Sequence, residues 1–388
     1  MSIESRTRAW VEIDLDALRA NFQVIRQRAG AERGVLPMVK ADAYGLGVAR
    51  VVAALEHEQP WGYGVATVEE GAALRALGIA RPILIVTPVP PGEEARAVEA
   101  RLTPSVSDVP SLLRLRAAAE AAGGEPLDVH LEIDTGMGRS GFDCRQASSW
   151  GPEVLRAAGP DAAGPVRCTG AFTHFHSADE ADGRAATAEQ ARRLDVALAE
   201  LPIERSSLVV HTANSAAALR WPELAGDLVR PGIFLYGGHA APAMADGGRV
   251  PPPDSVVSIR ARLSLVRRVP AGSTAGYGAT YAAMRPERWA TAAIGYGDGL
   301  PRALGNRGWA LVRGRRVPVR GRVSMDSVVL DVSDVSGVEA GDVATFVGSD
   351  GDARITLEEA ASLGGTISYE ILTRMGARLT RVYRGEKA

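Results

Sequence analysis

The sequence contains little cysteine, almost no net charge and no apolar run long enough to cross a bilayer. Its 388 residues include two cysteines, Cys144 and Cys168, too few for a disulfide framework or a cysteine metal site; we expect both to be buried as small hydrophobic residues. The net charge of −2 gives no reason to expect nucleic acid or an anionic membrane as a partner. The first ten residues, MSIESRTRAW, lack the apolar core of a signal peptide, so we expect a cytoplasmic protein.

Size and composition are those of an ordinary globular protein. Hydrophobic residues make up 46% of the chain and charged residues 23%. A length of 388 residues suggests about two domains. The one basic cluster, from Arg313 to Arg322, alternates with apolar residues, which favours a solvated strand face over a phosphate-binding patch.

Short apolar runs alternate with amphipathic helical patterns between residue 35 and about residue 237. The runs predict eight strands: VLPMVK (35–40), YGVAT (63–67), PILIVT (82–87), LTPSVS (102–107), LDVHLEI (127–133), CTGAFT (168–173), SLVVHT (207–212) and LVRPGIFLY (228–236). Eight strands separated by helices predict a parallel sheet, and eight is the number that closes a (β/α)8 barrel. A doubly wound open sheet is the alternative, although no GxGxxG follows the first strand.

The pattern changes after the Pro- and Gly-rich stretch APAMADGGRVPPP (241–253), which we interpret as a linker. From Ser255 onward, period-two alternation predicts antiparallel strands and hairpins, with one late helix near TLEEAASLG. The expected fold class is therefore α/β: a TIM-like (β/α)8 barrel over residues 15–240, followed by a mostly β domain over residues 254–388. The stretch RAWVEIDL (8–15) also looks like a strand, and we assign the N-terminal strand (1–14) to the second domain.

Lys40 closes an apolar run within MVKADAYGLG (38–47). Removing an ammonium group from water is unfavourable, so a buried lysine is a poor structural choice. It is a good chemical choice, because a desolvated lysine loses its proton more easily and can form a Schiff base. A lysine at an exposed strand end is usually only solvated, so this feature alone leaves both interpretations open.

Other reactive side chains also fall at the ends of predicted barrel strands, where the chemistry of such barrels gathers. Arg139 follows the fifth strand, His174 the sixth, Asn214 and Ser215 the seventh, and Arg230 and Gly232 lie on the eighth. Any one of them has an ordinary structural explanation. Together they describe a pocket with a lysine nucleophile, two guanidinium groups that bind anions, and a serine and glycine amides that can hold a phosphate.

This set suits pyridoxal 5'-phosphate, which needs a Schiff-base lysine, a phosphate cup and a partner for its pyridine nitrogen. An arginine partner can only donate a hydrogen bond, so it leaves the ring nitrogen unprotonated. The ring is then a weaker electron sink than it would be beside an aspartate. We expect such a site to favour a short-lived carbanion that is reprotonated at once.

The chain resembles the alanine racemases, the pyridoxal phosphate enzymes that interconvert L- and D-alanine. Nine motifs carry the resemblance in order along the chain: VKADAYGLG, DTGMGRSGF, FTHFHSADE, HTANSAAALR, VRPGIFLYG, AGYGATY, IGYGDGLPR, GRVSMD and TISYE. The resemblance implies the barrel and β domain described above, an amino acid substrate and a homodimer with shared active sites. It also implies a role in supplying D-alanine for peptidoglycan.

The resemblance assigns the two bases and the groups around the cofactor. Lys40 would hold the cofactor and act as the base on one face of the substrate, and Tyr277 would reach the opposite face from the other subunit. Arg230 would donate to the pyridine nitrogen, with His211 behind it. The positions that match phosphate-binding residues of the family are Tyr44, Ser215, Gly232, Ile233 and Tyr369.

The resemblance also assigns residues around the substrate. Arg139 and Met325 match positions at the substrate carboxylate, and His174, counted with the cofactor-binding residues, would help to orient the tyrosine. The positions that match the substrate entrance and the dimer interface are Asp179, Tyr296, Arg302, Arg322 and Asp326.

Two positions depart from the family pattern. Many relatives carry a carbamylated lysine where this chain has Glu132, and we hypothesise that the Glu132 carboxylate holds Arg139 without carbon dioxide, with a water or ion filling the gap. An unrelated glutamate on a strand face is the alternative. Leu46 replaces a histidine that is common in the family, and we expect little consequence.

Other activities remain possible from the sequence. Racemases that act on serine, lysine or a broad set of amino acids share most of these motifs. Decarboxylases and aldolases on related barrels are disfavoured by AGYGATY and GRVSMD. Barrel proteins that bind pyridoxal phosphate without catalysis resemble only the first domain.

Overall fold

The computed structural model describes residues 7–159, 164–241 and 250–385, which form two main sheets. Strand β1 (Ala9–Asp14) and helix α1 (Leu15–Ala29) come first. The next strands are β2 (Gly34–Val35), β3 (Tyr63–Val65), β4 (Ile83–Pro88), β5 (Thr103–Val106), β6 (Leu127–Asp134), β7 (Phe142–Asp143), β8 (Val166–Phe172), β9 (Val209–Asn214) and β10 (Leu228–Arg230). Eight of them form a parallel sheet in the order β2-β10-β9-β8-β6-β5-β4-β3, and β7 pairs with β6.

This parallel sheet closes on itself. A parallel bridge between Met38 and Gly64 joins the segment after β2 to β3, which are the two ends of the strand order. The approach is close at this point, since a side chain at Gly64 would overlap the Met38 sulfur. The predicted (β/α)8 barrel is confirmed.

Helices connect the barrel strands, as the amphipathic patterns of the sequence predict. They are α2 (Lys40–Gly45), α3 (Val48–Glu56), α4 (Val68–Ala76), α5 (Glu94–Glu99), α6 (Val109–Ala122), α7 (Ala147–Ala158), α8 (Arg184–Glu200) and α9 (Ser215–Arg220). Local signals set their ends. The Asp108 side chain, for example, accepts a hydrogen bond from the Ser111 amide at the start of α6, and Gly123 follows its last turn.

Two predicted strands extend five or six residues beyond the observed strand ends. The strand expected over residues 35–40 ends at Val35, because Pro37 has no N–H to donate, and Lys40 begins α2 rather than ending a strand. The strand expected over residues 228–236 ends at Arg230, so Gly232 lies beyond it. Pro231 again lacks the donor, and residues 233–236 form a 3-10 turn.

The second sheet is mostly antiparallel. The part of the chain after the barrel contains β11 (Val257–Val269), β12 (Thr274–Ala275), β13 (Tyr281–Ala282), β14 (Glu287–Ala292), β15 (Trp309–Val312), β16 (Arg315–Arg320), β17 (Val328–Asp331), β18 (Val343–Asp350), β19 (Ala353–Ile355), α10 (Leu357–Gly364), α11 (Ser368–Thr373) and β20 (Thr380–Arg384). The strand order is β19-β18-β15-β16-β17-β14-β11-β1-β20, while β12 and β13 form a separate hairpin. Helix α10 is the late helix that the sequence predicts.

The N-terminal strand belongs to this second sheet. Strand β1 pairs with β11 in antiparallel register and with β20 in parallel register. The described part of the chain therefore passes from the second sheet through the barrel and back to the second sheet. Residues 1–6 of the predicted N-terminal segment lie outside the described residues, as do residues 242–249 of the predicted linker.

The expectations about arginine and cysteine are confirmed. Arg316 and Arg320 lie on β16 and pair with Glu359 and Asp331, so the arginine-rich stretch is a strand with paired charges. The two cysteines are buried and free. Within the described ranges, no helix is both long and apolar enough to cross a membrane.

A buried carboxylate ties the start of the chain to the second sheet. Asp298 is fully buried and accepts a hydrogen bond from the Gly295 amide at 3.0 Å. Its carboxylate also pairs with Arg8, next to β1, at 2.5 Å and with Arg378, just before β20, at 3.1 Å. Both arginines are partly exposed and can also be solvated by water. The buried Asp298 carboxylate cannot, so loss of its partners would leave an unpaired buried charge.

We expect Asp298→Ala to lower the free energy of unfolding by about 3 kcal/mol, because the charge-assisted contacts with Arg8, Arg378 and the Gly295 amide are lost at a buried position. Urea unfolding of the purified protein measures the change. Asp334→Ala is the control, because it removes an exposed ion pair to Arg285 and should change stability little. Equal effects of the two substitutions would contradict the structural role of Asp298.

Candidate active site

A cavity opens at the carboxyl ends of the barrel strands and gathers half of the predicted site residues. Nine of them line it: Lys40, Tyr44, Arg139, His174, Ser215, Arg230, Gly232, Ile233 and Tyr369. Met38, Val86, Phe172 and Asn214 complete the lining. Of these residues only Tyr369 comes from the region of the second sheet, where it lies on α11.

An unusual backbone segment positions Lys40 and Tyr44. Ala41, Asp42, Ala43 and Tyr44 are four consecutive non-glycine residues in the left-handed helical region, with φ between 53° and 57°. Such a conformation costs L-residues roughly 1–2 kcal/mol each, so other contacts must stabilise it. Tyr44 stacks on Tyr236 with 4.6 Å between ring centroids.

Residues of the second sheet donate hydrogen bonds to the backbone at the end of this left-handed turn. Arg381, on β20, donates to the Gly45 carbonyl at 3.0 Å, and Tyr383 donates to the Leu46 carbonyl at 2.8 Å. A side chain at Gly45 would overlap the carbonyl of Leu372 on α11. Correct placement of Lys40 therefore depends on residues more than 320 positions away in the sequence.

The surroundings of Lys40 favour its neutral amine. Burial and the positive charge of Arg139 lower the pKa of Lys40; Arg230 adds to this effect and Glu70 opposes it. A lowered pKa leaves a larger fraction of the amine unprotonated at neutral pH, which is the form that reacts as a nucleophile or accepts a proton.

The opposite side of the cavity can hold an anion. Ser215 begins α9, and its hydroxyl accepts a hydrogen bond from the Gly232 amide at 2.8 Å. A side chain at Gly232 would overlap the Tyr44 hydroxyl, so only glycine lets the backbone approach this closely. The grouping of the Ser215 hydroxyl, the backbone at Gly232 and two tyrosines suits a phosphate group.

Arg230 is a buried cation, and both of its terminal nitrogens donate hydrogen bonds. One nitrogen donates to His211 Nδ1 at 2.8 Å, and the other donates to the carbonyls of Thr173 at 2.9 Å and Thr212 at 3.1 Å. Burial lowers the pKa of Arg230 to about 10; Glu132 opposes this shift and Arg139 adds to it. The guanidinium group therefore remains protonated at neutral pH and can only donate.

Two neutral histidines, His211 and His130, form a hydrogen-bonded chain with Arg230. Because Arg230 donates to His211 Nδ1, the proton of neutral His211 is on Nε2, which lies 2.9 Å from His130 Nδ1. Burial and the charge of Arg230 lower the pKa of His130 to about 3 and that of His211 well below its ordinary value. Phe172 stacks on the His211 ring, with 4.9 Å between centroids.

Arg139 and His174 line the cavity together with Lys40. Arg139 is exposed and makes no hydrogen bond or ion pair within the described ranges, so its guanidinium group is available to a ligand. Burial, followed by the charges of Arg230, Arg139 and Lys40, lowers the pKa of His174 to about 3. Neutral His174 can therefore accept or donate a hydrogen bond at the cavity.

Glu132 is in the barrel interior, but it does not contact Arg139. Its carboxylate accepts a hydrogen bond from the Ser107 hydroxyl at 2.9 Å, and its side chain is buried. No ion pair joins Glu132 to Arg139, although both residues are described. The role that the sequence suggests for Glu132 would thus require a bridging water or ion.

The remaining predicted residues do not line the cavity. Tyr277 and Met325 are 71% and 50% exposed, and Tyr296 is 41% exposed. They lie in the second domain together with Arg302, Arg322 and Asp326, and Asp326 pairs with Arg378 at 2.6 Å. Asp179 lines a neighbouring cleft that it shares with Tyr369; burial, and then Asp179, raise the pKa of Tyr369 to about 12.

Sequence reasoning missed several residues that the structure brings to the site. Met38, Val86 and Phe172 line the cavity. Tyr236 stacks on Tyr44, and His130 contacts His211, outside the cavity lining. Most of them lie inside or next to motifs already recognised, which is the signal that could have found them. The sequence also contains only two lysines, Lys40 and Lys387, a scarcity that would have drawn attention to Lys40.

Arg139→Gln should raise the pKa of Lys40, because a nearby positive charge that disfavours the ammonium form is removed. In cofactor-free protein carrying Lys387→Arg, Lys40 is the only lysine, so its acetylation can be followed against pH by mass spectrometry. Arg145→Gln, which removes an exposed arginine paired with Asp143, is the control. An unchanged pKa in Arg139→Gln would refute the coupling.

Comparison with family models matches residues 13–240 to the N-terminal domain of alanine racemases and residues 256–383 to their C-terminal domain. An alanine racemase from Citrifermentans bemidjiense is 40% identical over 382 residues, covering 97% of this chain and 98% of that protein.

Solved structures agree over the whole chain. The alanine racemase from Bacillus anthracis with bound L-Ala-P is 30% identical, with a TM-score of 0.88 and coverage of 98% of this chain and 96% of that one. The alanine racemase from Bartonella henselae with covalently bound pyridoxal phosphate is 27% identical, with a TM-score of 0.85 and coverage of 97% and 100%. Because both family models and full-length relatives match, the chain belongs to the alanine racemase family.

Proposed function

We propose that this protein interconverts L- and D-alanine with pyridoxal 5'-phosphate and two bases, Lys40 and Tyr277. The observation that carries the proposal is the cavity itself, where Lys40, with its lowered pKa, shares the same space with Arg230 and the Ser215–Gly232 anion site. Relatives that match this chain over nearly its whole length carry the same family name.

The donor groups of the cavity fit pyridoxal 5'-phosphate. Lys40 would supply an amine for covalent attachment, and Tyr44, Ser215, Gly232, Ile233 and Tyr369, which line the same cavity, would hold the phosphate. Arg230 is the donor for the pyridine nitrogen. When bound, the cofactor stabilises negative charge that forms on the substrate Cα.

Each of these residues then has a separate role in racemisation. Lys40 removes or returns the Cα proton on one face of the substrate, and Tyr277 of the partner subunit does so on the other face. Arg139 binds the substrate carboxylate together with Met325, and His174 orients the tyrosine. Arg230 leaves the ring nitrogen unprotonated, so charge delocalisation is limited and rapid return of the proton is favoured.

The two-subunit arrangement is supported by the position of Tyr277 in a single chain. Its side chain is 71% exposed in the short hairpin between β12 and β13, away from the cavity of its own chain. An exposed phenol of this kind is explained if it enters a partner's site in a homodimer. We place the substrate-entrance residues Asp179, Tyr296, Arg302, Arg322 and Asp326 near that interface.

The broader assignment follows from the same proposal. We propose a cytoplasmic enzyme that supplies D-alanine for peptidoglycan, with a cofactor-binding domain over residues 15–240 and a second domain over residues 254–388 that includes the N-terminal strand. An amino acid is then the small-molecule substrate, and nucleic acids and membranes have no part in the reaction.

A chiral product assay tests the reaction. With pyridoxal phosphate, purified protein should convert L-alanine to D-alanine faster than it racemises L-serine or L-lysine, and Lys40→Ala should abolish turnover. Faster racemisation of serine or lysine would change the substrate but retain the mechanism. Bound cofactor without racemisation of any of the three would refute the proposed function.

A subunit-mixing experiment tests the shared site. Lys40→Ala and Tyr277→Phe proteins should each be nearly inactive as pure dimers, whereas a mixed dimer contains one site with both wild-type bases. Activity should therefore return after mixing, by up to about half of the wild-type value per mixed dimer. Exchange is verified with differently tagged subunits, and no recovery despite exchange would rule out a base shared between subunits.

A further inference from the structure

Glu70 connects the segment that carries Lys40 to the neighbouring barrel strand. It lies at the third position of α4, whose first turn is capped by Thr67, and the Thr67 hydroxyl accepts from the Glu70 amide at 3.2 Å. In a capping box, a glutamate at this position bonds back to the amide of the capping residue. Here the carboxylate accepts from two other amides, Ala66 at 2.8 Å and Ala41 at 2.6 Å.

These two amides lie on different segments of the barrel. Ala66 directly follows β3, while Ala41 directly follows Lys40 and is the first residue of the left-handed turn. Glu70 thus joins the two segments next to the Met38–Gly64 bridge, where the barrel closes. The hydrogen bond to Ala41 acts one residue away from the Lys40 side chain and on the part of the turn that is conformationally unfavourable.

Glu70 also changes the electrostatic surroundings of Lys40. The charged or titratable groups that act on Lys40 or line the cavity with it are Arg139, Arg230, His174, Tyr44, Tyr369 and Glu70. Glu70 is the one anion that influences Lys40 among them, and it opposes the two guanidinium groups by favouring the ammonium form. One carboxylate therefore acts on both the position and the protonation of the same lysine.

We propose that Glu70 is a positioning residue for Lys40, which fixes the left-handed turn through the Ala41 amide. The inference deepens the proposed function, because it rests on Lys40 as the residue that holds the cofactor.

Three variants in a Lys387→Arg background test this role. Glu70→Ala removes both hydrogen-bond acceptors and the charge. Glu70→Gln removes the charge but retains one oxygen that can accept from one of the two amides. Glu69→Gln is the matched control, because Glu69 lies on the same turn of α4 but its side chain is exposed and pairs with Arg96 at the surface.

Two measurements separate positioning from charge. The first is the affinity of the cofactor-free protein for pyridoxal phosphate, with the Lys40 adduct identified by mass spectrometry after borohydride reduction. The second is the pKa of Lys40 from pH-dependent acetylation of the cofactor-free protein. Loss of hydrogen bonds should affect the first measurement, and loss of charge the second.

We expect Glu70→Ala to weaken cofactor binding by about tenfold or more and Glu70→Gln by less, since only Gln retains an acceptor. Both variants should lower the pKa of Lys40 by a similar amount, because both remove the carboxylate charge. Glu69→Gln should leave both quantities unchanged. A purely structural role for Glu70 would reduce the unfolding temperature without a change in the pKa of Lys40.

The proposal is overturned if Glu70→Gln and Glu70→Ala match Glu69→Gln in cofactor affinity and in the pKa of Lys40. If Glu70→Ala does not fold, Glu70→Gln decides the question by the same two comparisons with Glu69→Gln. Absence of any Lys40 adduct in the parent Lys387→Arg protein would instead refute the proposed function, so the two failures are distinguishable.

Discussion

The site depends on a strained turn of backbone directly after Lys40. Four consecutive L-residues in the left-handed region are unfavourable on their own, so the turn persists only because its surroundings stabilise it. Tyr44 stacks on Tyr236 on the barrel side, and Arg381 and Tyr383 donate to carbonyls from the second sheet. The benefit is geometric: residues four positions apart in sequence, Lys40 and Tyr44, both line one cavity.

The interior of the barrel is organised around a buried positive charge. Arg230 is stable there because carbonyl groups and His211 accept its hydrogen bonds, and because Glu132 supplies a nearby negative charge. The same guanidinium charge lowers the pKa of His211, so the histidine next to it remains neutral. Neutral His211 and His130 then form a fixed chain of hydrogen bonds that holds Arg230 in one orientation.

Much of the fold and part of the site can be predicted from the sequence, because periodicity and motif order are local properties. The alternation of apolar runs indicates the eight-stranded barrel, and the motif around Lys40 indicates a reactive lysine. The ends of strands are less predictable, as the segments after Val35 and Arg230 show. In both places a proline removes a donor, and tertiary contacts then decide the backbone conformation.

The order of residues specifies which chemical groups are present, including a lysine in an apolar motif and a serine and glycine that can hold phosphate. The folded chain brings some of these groups together and keeps others apart. Lys40, Arg139 and Arg230 lie in one cavity, whereas Tyr277 lies outside it and Glu132 contacts Ser107 rather than Arg139. The physical reason is that distances, desolvation and electrostatic coupling arise between segments far apart in the chain, and no local pattern encodes them.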